Sequence, residues 1–520
     1  MYDFIVVGAG SAGCVIAEGL SARHSVLLLE AGGSDRVLEV AIPAAFTKQF
    51  MTERDWAYQT EPEPHASDRS LYLPRGKMLG GSSSMNAMIY MRGRPSDYDG
   101  WSEMGATGWG WNDVLPVFIY MERNQRGASA LHGSEGPVRV EDLRYPNTLA
   151  RRFVDAAVES GISPNDDFNG ASQDGVGFYQ VTQRRGRRWS AADAYLRPAI
   201  PRPTLDVLSN ALVTRVLFDG KRATGVEYLK DGVHTGVSAS SEVILSAGAI
   251  GSPQILQISG VGDPDHLTSI GIEVVSANSN VGAHFQDHPA IGVIQASESG
   301  GTLDDAESPL ELVKWALLRK GRLTSNVAEA GAFVRSSPEL AEPDLQFHFG
   351  PAHFENHGRE AFDGHAYSLG PALLNPRSRG SVRAVSPDPT DVPAIRGNYL
   401  EDPQDLKALR SGFDLTRKIL SALSFDAVRG LELVPGPSVV SGADIESFIR
   451  DRCEGFYHPV GTCRMGRDVN STVVDPQLRV HGISGLRVAD ASVMPAITSG
   501  NPNAPTMMIG ARAVEMILSS

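Results

Sequence analysis

The chain has 520 residues, 42% hydrophobic and 21% charged, which is ordinary soluble composition with enough length for a large core. Its formal net charge of −14 sets aside nucleic acid or an anionic membrane as the main partner. No stretch approaches a membrane span, no signal peptide precedes the first apolar run, and only three cysteines occur (Cys14, Cys453, Cys463), which fits a reducing cytoplasm.

The chain opens on an apolar run, residues 4–7, followed at once by Gly8-Ala9-Gly10-Ser11-Ala12-Gly13. The next stretch has helical spacing, with Ala12, Val15, Ile16, Gly19 and Leu20 on one face. A second apolar run, residues 26–29, ends in Glu30. This is the layout of a βαβ unit that holds a dinucleotide. Gly8 permits the tight turn, Gly10 lets backbone approach a pyrophosphate, and Gly13 lets helix pack on sheet. The helix N-terminus offers free N–H groups to phosphate. Glu30 stands where a carboxylate binds ribose hydroxyls, which favours an unphosphorylated ribose. The fingerprint alone does not separate NAD from FAD.

Further along, Arg75-Gly76-Lys77-Met78-Leu79-Gly80-Gly81-Ser82-Ser83-Ser84-Met85-Asn86 joins a Gly/Ser backbone to basic flanks. No Asp or Glu lies between Ser70 and Ser96, yet Arg75, Lys77, Arg92 and Arg94 do, a composition suited to an anionic ligand. Residues 205–208, 213–218, 225–229 and 243–246 read as short strands. Ser252 suits an N-cap and Pro253 the first position of a helix that stops at Gly260. The middle of the chain mixes strand-like runs (291–295, 345–349) with helical patterns (310–318, 404–423). The last sixty residues return to strand (486–489), a Pro/Gly/Asn-rich turn, and a helix over about 506–518, so the C-terminal end belongs with the nucleotide-binding part. Cys453, His458 and Cys463 lack zinc spacing, and no metal is expected.

Residues 75–92, residues 248–262 ending Ile258-Ser259-Gly260-Val261-Gly262, the block Tyr457-His458-Pro459-Val460-Gly461-Thr462-Cys463-Arg464-Met465-Gly466, and Val488-Ala489-Asp490-Ala491-Ser492 together resemble the signatures of the glucose-methanol-choline (GMC) oxidoreductases. These are FAD-dependent alcohol-oxidising flavoproteins. The resemblance runs from residue 2 to about 515 and is nearest to the choline dehydrogenase-like branch. It implies an α/β (mixed α+β) fold. A discontinuous Rossmann-like FAD-binding domain (1–155, 190–290 and 455–520) accompanies a substrate domain (291–454, with 156–189 contributing) on a mixed or antiparallel sheet flanked by helices.

The resemblance implies FAD. Family members that attach flavin covalently carry His at the position of Met85, so non-covalent FAD is expected. Its expected contacts are Gly8, Gly10, Ser11, Ala12 and Gly13 in the first turn, Glu30 and Ala31 at the ribose, and Trp56. Arg75, Gly76, Met78, Gly80, Gly81 and Ser84 follow, then Asn86, Ala87 and Met88 against the flavin ring. Val213 meets adenine through its backbone; Ala247, Gly248, Tyr457, Asp490, Ala491 and Pro502 complete the set.

By the same resemblance His458 is the catalytic base and Asn501 its partner, with Asn503 as a nearby alternative. Oxidising an alcohol removes a proton from oxygen and a hydride from carbon. A neutral imidazole accepts the proton and an amide N–H₂ holds the developing alkoxide, while FAD takes the hydride. Phe354, Glu329 and Tyr457 are expected to line the substrate pocket. His348, His353, His357 and Glu355 read as a polar pocket wall or surface loop, not a metal site. The expected partners are a small-molecule primary alcohol and, as electron acceptor, oxygen or a quinone or other carrier. Choline is disfavoured, because a quaternary ammonium needs aromatic faces or a carboxylate and aromatic residues are 7% with none clustered in the substrate region. The rivals on this scaffold are a hydroxynitrile lyase-like activity, light-driven fatty-acid decarboxylation and a non-catalytic flavin module. The His458/Asn501 pair favours alcohol oxidation.

Overall fold

Tyr2–Val7 and Val26–Leu29 form adjacent parallel strands, Val6 opposite Leu28, and the second is buried along its whole length. Continuous burial on both faces explains why it reads as an unbroken apolar run rather than an alternating one. Leu205–Leu208 extends the sheet on one side and Val233–Leu245 on the other. Val233–Leu245 serves two partners. Its first half pairs antiparallel with Arg222–Lys230, and its second half runs parallel to Tyr2–Val7. Leu212–Asp219 and Leu486–Val488 complete a seven-stranded sheet in this computed structural model, which describes residues 1–360 and 362–519.

Helix Ser11–Leu20 crosses from the first strand to the second and packs on helix Asn503–Leu518. Small residues permit the approach: a Cβ on Gly510 would stand 2.9 Å from the Ala12 carbonyl oxygen. The C-terminal helix therefore closes the first βαβ unit. It starts three residues before the expected Thr506.

A second, eight-stranded sheet is antiparallel throughout its main path: Arg429–Val434, Val293–Ser297, Ala366–Leu373, Leu345–Gly350, Ala330–Val334 and Gly175–Phe178. Helices Thr148–Glu159 and Pro403–Leu420 cover one face, where Phe153 stacks on Phe349 at 5.0 Å. Strand alternation turns Phe347 and Phe349 toward these helices, while His348 and Gly350 reach the wall of a large cavity.

Several expected boundaries move: the strand foreseen at 243–246 is the end of Val233–Leu245, and the helix foreseen over 404–423 is Pro403–Leu420. The strand foreseen at 291–295 is Val293–Ser297. The helix foreseen to begin at Ser252 is Gly248–Ile258, with Pro253 inside it. An internal proline orphans the carbonyl four residues earlier. Here that carbonyl, on Ala249, accepts the Thr462 hydroxyl at 2.7 Å, and the helix continues. Ser252 is no cap: its hydroxyl donates to Asp490. No helix of the described residues is long and apolar enough to cross a membrane.

Candidate active site

A cavity of about 810 Å³ takes its lining from both sheets, a volume at the upper end for ligand clefts. Gly10, Ser11 and Ala12 line it. Helix Ser11–Leu20 has no side-chain cap, so its first N–H groups stay open, and a Cβ on Gly10 would meet nothing nearer than 3.9 Å. Gly81 lies against Gly10: a Cβ there would sit 2.7 Å from the Gly10 Cα. The two glycine-rich segments thus form one continuous backbone wall.

Glu30 is buried in this wall and accepts the N–H groups of Ala9 and Gly32, each at 2.8 Å. Desolvation pushes its carboxyl up to about 7, a group in want of further donors such as ribose hydroxyls. Asp490 accepts the Gly248 N–H at 2.9 Å and the Ser492 N–H at 2.8 Å. Open N–H groups, bare backbone and a desolvated carboxylate in one cavity fit a dinucleotide.

Gly8, Ala31, Trp56, Arg75 and Gly76 also line the cavity, as do Asn86, Ala87, Met88 and Val213. So do Ala247, Gly248, Tyr457, Ala491 and Pro502. Four expected contacts stand behind the wall instead. Gly13 packs so closely that a Cβ would fall 1.9 Å from the Gly8 carbonyl oxygen. Gly80 donates its N–H to the Ala9 carbonyl at 2.7 Å, and the Ser84 hydroxyl donates to Leu79 at 2.9 Å. Met78 is buried in a cluster with Phe46, Phe50 and Tyr72. These residues brace the turn from behind the cavity lining.

Across the cavity, Tyr457 adopts a left-handed backbone conformation (φ 64°), and its carbonyl accepts the Arg75 guanidinium at 2.6 Å. His458 follows, with its N–H on the Asp287 carboxylate at 2.7 Å. A non-glycine residue held at positive φ marks a position the fold over-determines.

The His458 ring lies in a directed chain of hydrogen bonds. Gln346 Nε2 donates to Asn501 Oδ1 at 3.1 Å, which turns Asn501 Nδ2 toward His458 Nε2, also 3.1 Å away. That nitrogen is therefore an acceptor, and the His458 proton sits on Nδ1, where it donates to His288 Nδ1 at 2.9 Å. Burial, reinforced by neighbouring His288, His348 and Arg75, holds His458 well below the usual imidazole range. Burial likewise lowers His288 and His348, each to about 3. His458 is a neutral ring with its Nε2 lone pair in the cavity wall.

Asn503 serves elsewhere. Its Oδ1 accepts the Ser11 hydroxyl at 2.7 Å, tying the last helix to the first turn. Glu329 does not line the pocket. It is fully buried behind it, accepting the Asn147 N–H at 2.6 Å and the Ser325 hydroxyl at 2.5 Å. Phe354 lines the cavity as expected, as do His348, Glu355 and His357, whereas His353 stacks on Phe362 away from it. No group of three or more potential metal ligands gathers among the described residues.

The aromatic residues do cluster, against the sequence expectation. Phe50 lies 5.8 Å from Phe46, 6.0 Å from Tyr72 and 6.1 Å from Tyr457. Phe46 faces Phe354 at 6.4 Å, and the Tyr457 hydroxyl donates to His357 Nδ1 at 2.5 Å. These rings come from four distant segments, so no local run announces them. His288, Asp287 and Gln346 also escape a reading of the sequence. The only cue is the polar triplet Gln286-Asp287-His288 before Pro289.

Two family models, both described as GMC oxidoreductase, match residues 2–290 and 376–510. The chain is 47% identical to an alcohol dehydrogenase (acceptor) of Pseudomonas putida, over 100% of this chain and 96% of that one. It is 42% identical to an oxygen-dependent choline dehydrogenase of Rhizobium etli, over 99% and 95% of the two chains. The crystal structure of a pyridoxine 4-oxidase from Mesorbium loti superposes with a TM-score of 0.91 at 30% identity, covering 100% of this chain and 99% of that one. A dinucleotide cradle, a neutral histidine paired with an asparagine, and matches along nearly the whole length lead to one assignment: the chain belongs to the GMC oxidoreductase family, the FAD-dependent oxidoreductases.

Proposed function

We propose that this protein oxidises a primary alcohol to the aldehyde. The observation that carries the reading is the His458–Asn501 pair in the cavity wall. A hydroxyl oxygen placed between them accepts Asn501 Nδ2–H and donates its own hydrogen to His458 Nε2, replacing their 3.1 Å contact. As the O–H proton moves to His458 Nε2, Asn501 stabilises the negative charge left on oxygen. The Nδ1–H bond to His288 holds the ring in the required tautomer and shares the charge that arrives. FAD, when bound, supplies the acceptor for the hydride leaving the carbinol carbon.

FAD would be held by the glycine turn, Glu30, the Asn86–Met88 segment and Asp490. Met85 is buried in the wall, and a thioether lacks the ring nitrogen through which a histidine at this position would link to flavin, which supports non-covalent binding. We assign the seven-stranded sheet and residues 455–520 to FAD, and the eight-stranded sheet to substrate. Met88, Ile89, Ile291, Val327 and Leu369 give the cavity apolar surface, while Phe46, Phe354 and Tyr457 add aromatic faces and Glu355 and Glu454 add carboxylates. The three buried, unpaired cysteines support a cytoplasmic setting. Electrons leave to oxygen or to a quinone or similar carrier.

A panel of alcohols mixed anaerobically with the yellow enzyme tests this reading. Primary alcohols should bleach the flavin at low concentration, and choline belongs in the panel, because Phe46, Phe50, Phe354 and Tyr457 line the cavity and supply the aromatic faces that a quaternary ammonium needs. A flavin that no alcohol bleaches would overturn it.

A further inference from the structure

Helix Pro309–Leu318 presents a ridge that the rest of the molecule leaves uncovered. Leu310, Val313 and Leu317 fall on one side at helical spacing and are 63%, 52% and 78% exposed; Leu318, beside them, is 61% exposed. Only Trp315 points inward, into a cluster with Ile42, Ala45 and Leu323. With Leu312, five large aliphatic side chains are exposed on a ten-residue helix, far from the scattered single exposures normal on a soluble surface.

A basic rim borders this ridge. Lys314, Arg319, Lys320 and Arg322 lie on or just after the helix. The loop carrying Arg184, Arg185 and Arg187, all exposed, is joined to it: the Trp315 indole donates to the Gly186 carbonyl at 2.8 Å. Arg144, also exposed, donates to the Arg319 carbonyl at 2.9 Å. The nearby acids are engaged, Asp305 with Arg322 at 3.8 Å among them. Glu311 holds Lys314 at 2.7 Å and the Arg322 N–H at 3.0 Å, Glu307 pairs with Lys48 at 2.7 Å, and Glu141 accepts the Arg185 N–H at 2.8 Å.

We propose that this face docks on an anionic lipid bilayer. The leucine ridge lies in the headgroup layer, with Arg184, Arg185, Arg187 and Lys320 on the lipid phosphates. Aliphatic side chains flanked by Lys and Arg are what an interfacial helix presents to lipid. A second copy of the chain is the poorer occupant, because a two-fold contact would set each basic rim against itself. The overall charge of −14 conceals this face. It repels the rest of the molecule from the same membrane, so docking is oriented and salt-sensitive. The Trp315 side of the helix packs beside the segment Pro43–Gln49, whose Phe46 lines the cavity, so docking brings the substrate side of the enzyme to the lipid.

Flotation of the full-length holoenzyme with vesicles tests the proposal. At low ionic strength the enzyme should float with phosphatidylglycerol/phosphatidylethanolamine vesicles. It should float at least about tenfold less with pure phosphatidylcholine vesicles or in high salt. L310E/L317E and R184E/R185E/R187E should each lower flotation at least about tenfold while flavin content and oxidation of dissolved alcohol stay at wild-type level. Sedimentation velocity on the same proteins supplies the competing outcome. Wild-type enzyme that ignores anionic vesicles, variants that float undiminished, or a dimer that L310E/L317E splits would each overturn the proposal.

Discussion

At His458, three side chains do what a bare imidazole cannot. Gln346 sets the Asn501 amide, Asn501 marks Nε2 as the acceptor, and His288 takes the Nδ1 proton. Losing the last link frees the ring to adopt the wrong tautomer. The variant His288→Leu should therefore slow anaerobic flavin reduction at least about tenfold with little change in the substrate concentration for half-maximal rate. Equal losses in both, or none, would show that His288 only fills space. Of this chain, His458 and Asn501 are legible in the sequence because they stand in recognisable blocks. His288 and Gln346 are not: one precedes a short strand, the other lies within the strand Leu345–Gly350, and only tertiary structure brings either to the ring.

Between elements, Glu329 joins the turn before strand Ala330–Val334 to the N-terminus of helix Thr148–Glu159, through the Asn147 N–H. Burial pushes its carboxyl up to about 7, against an ordinary carboxylate value in the unfolded chain. The folded protein thus binds a proton that the unfolded chain has lost between about pH 4.5 and 7, and stability contributed here falls as pH rises through that window. In Glu329→Gln the amide oxygen can take the Asn147 N–H and its N–H₂ the Ser325 hydroxyl, with nothing to ionise. Melting temperatures from pH 5 to 8 should drop less steeply for the variant than for wild type. Parallel curves would contradict the assignment. A lone acid in the sequence looks the same whether it lines a pocket or braces a joint, which is why sequence alone groups Glu329 with the substrate. Helix Gly248–Ile258 is a parallel case, since Pro253 marks a start unless Thr462 is known to repair the broken bond.

On the scale of the whole molecule, the parallel part of the seven-stranded sheet is legible because its strands are local apolar runs and its turn is made of glycine. Even the return of the C-terminal helix can be read from composition. The aromatic wall cannot, because Phe46, Tyr72, Phe354 and Tyr457 come from segments far apart in the chain and only the tertiary fold brings them together. In the proposed reaction both sheets converge on one chemical event, the passage of a hydroxyl proton to a buried neutral histidine beside the dinucleotide cradle. Rapid-mixing anaerobic reduction of His458→Ala by its best alcohol measures that event alone. The flavin should stay bound, as in wild type, and its reduction should slow by at least about a hundredfold. Reduction at nearly the wild-type rate would mean that the proton goes elsewhere.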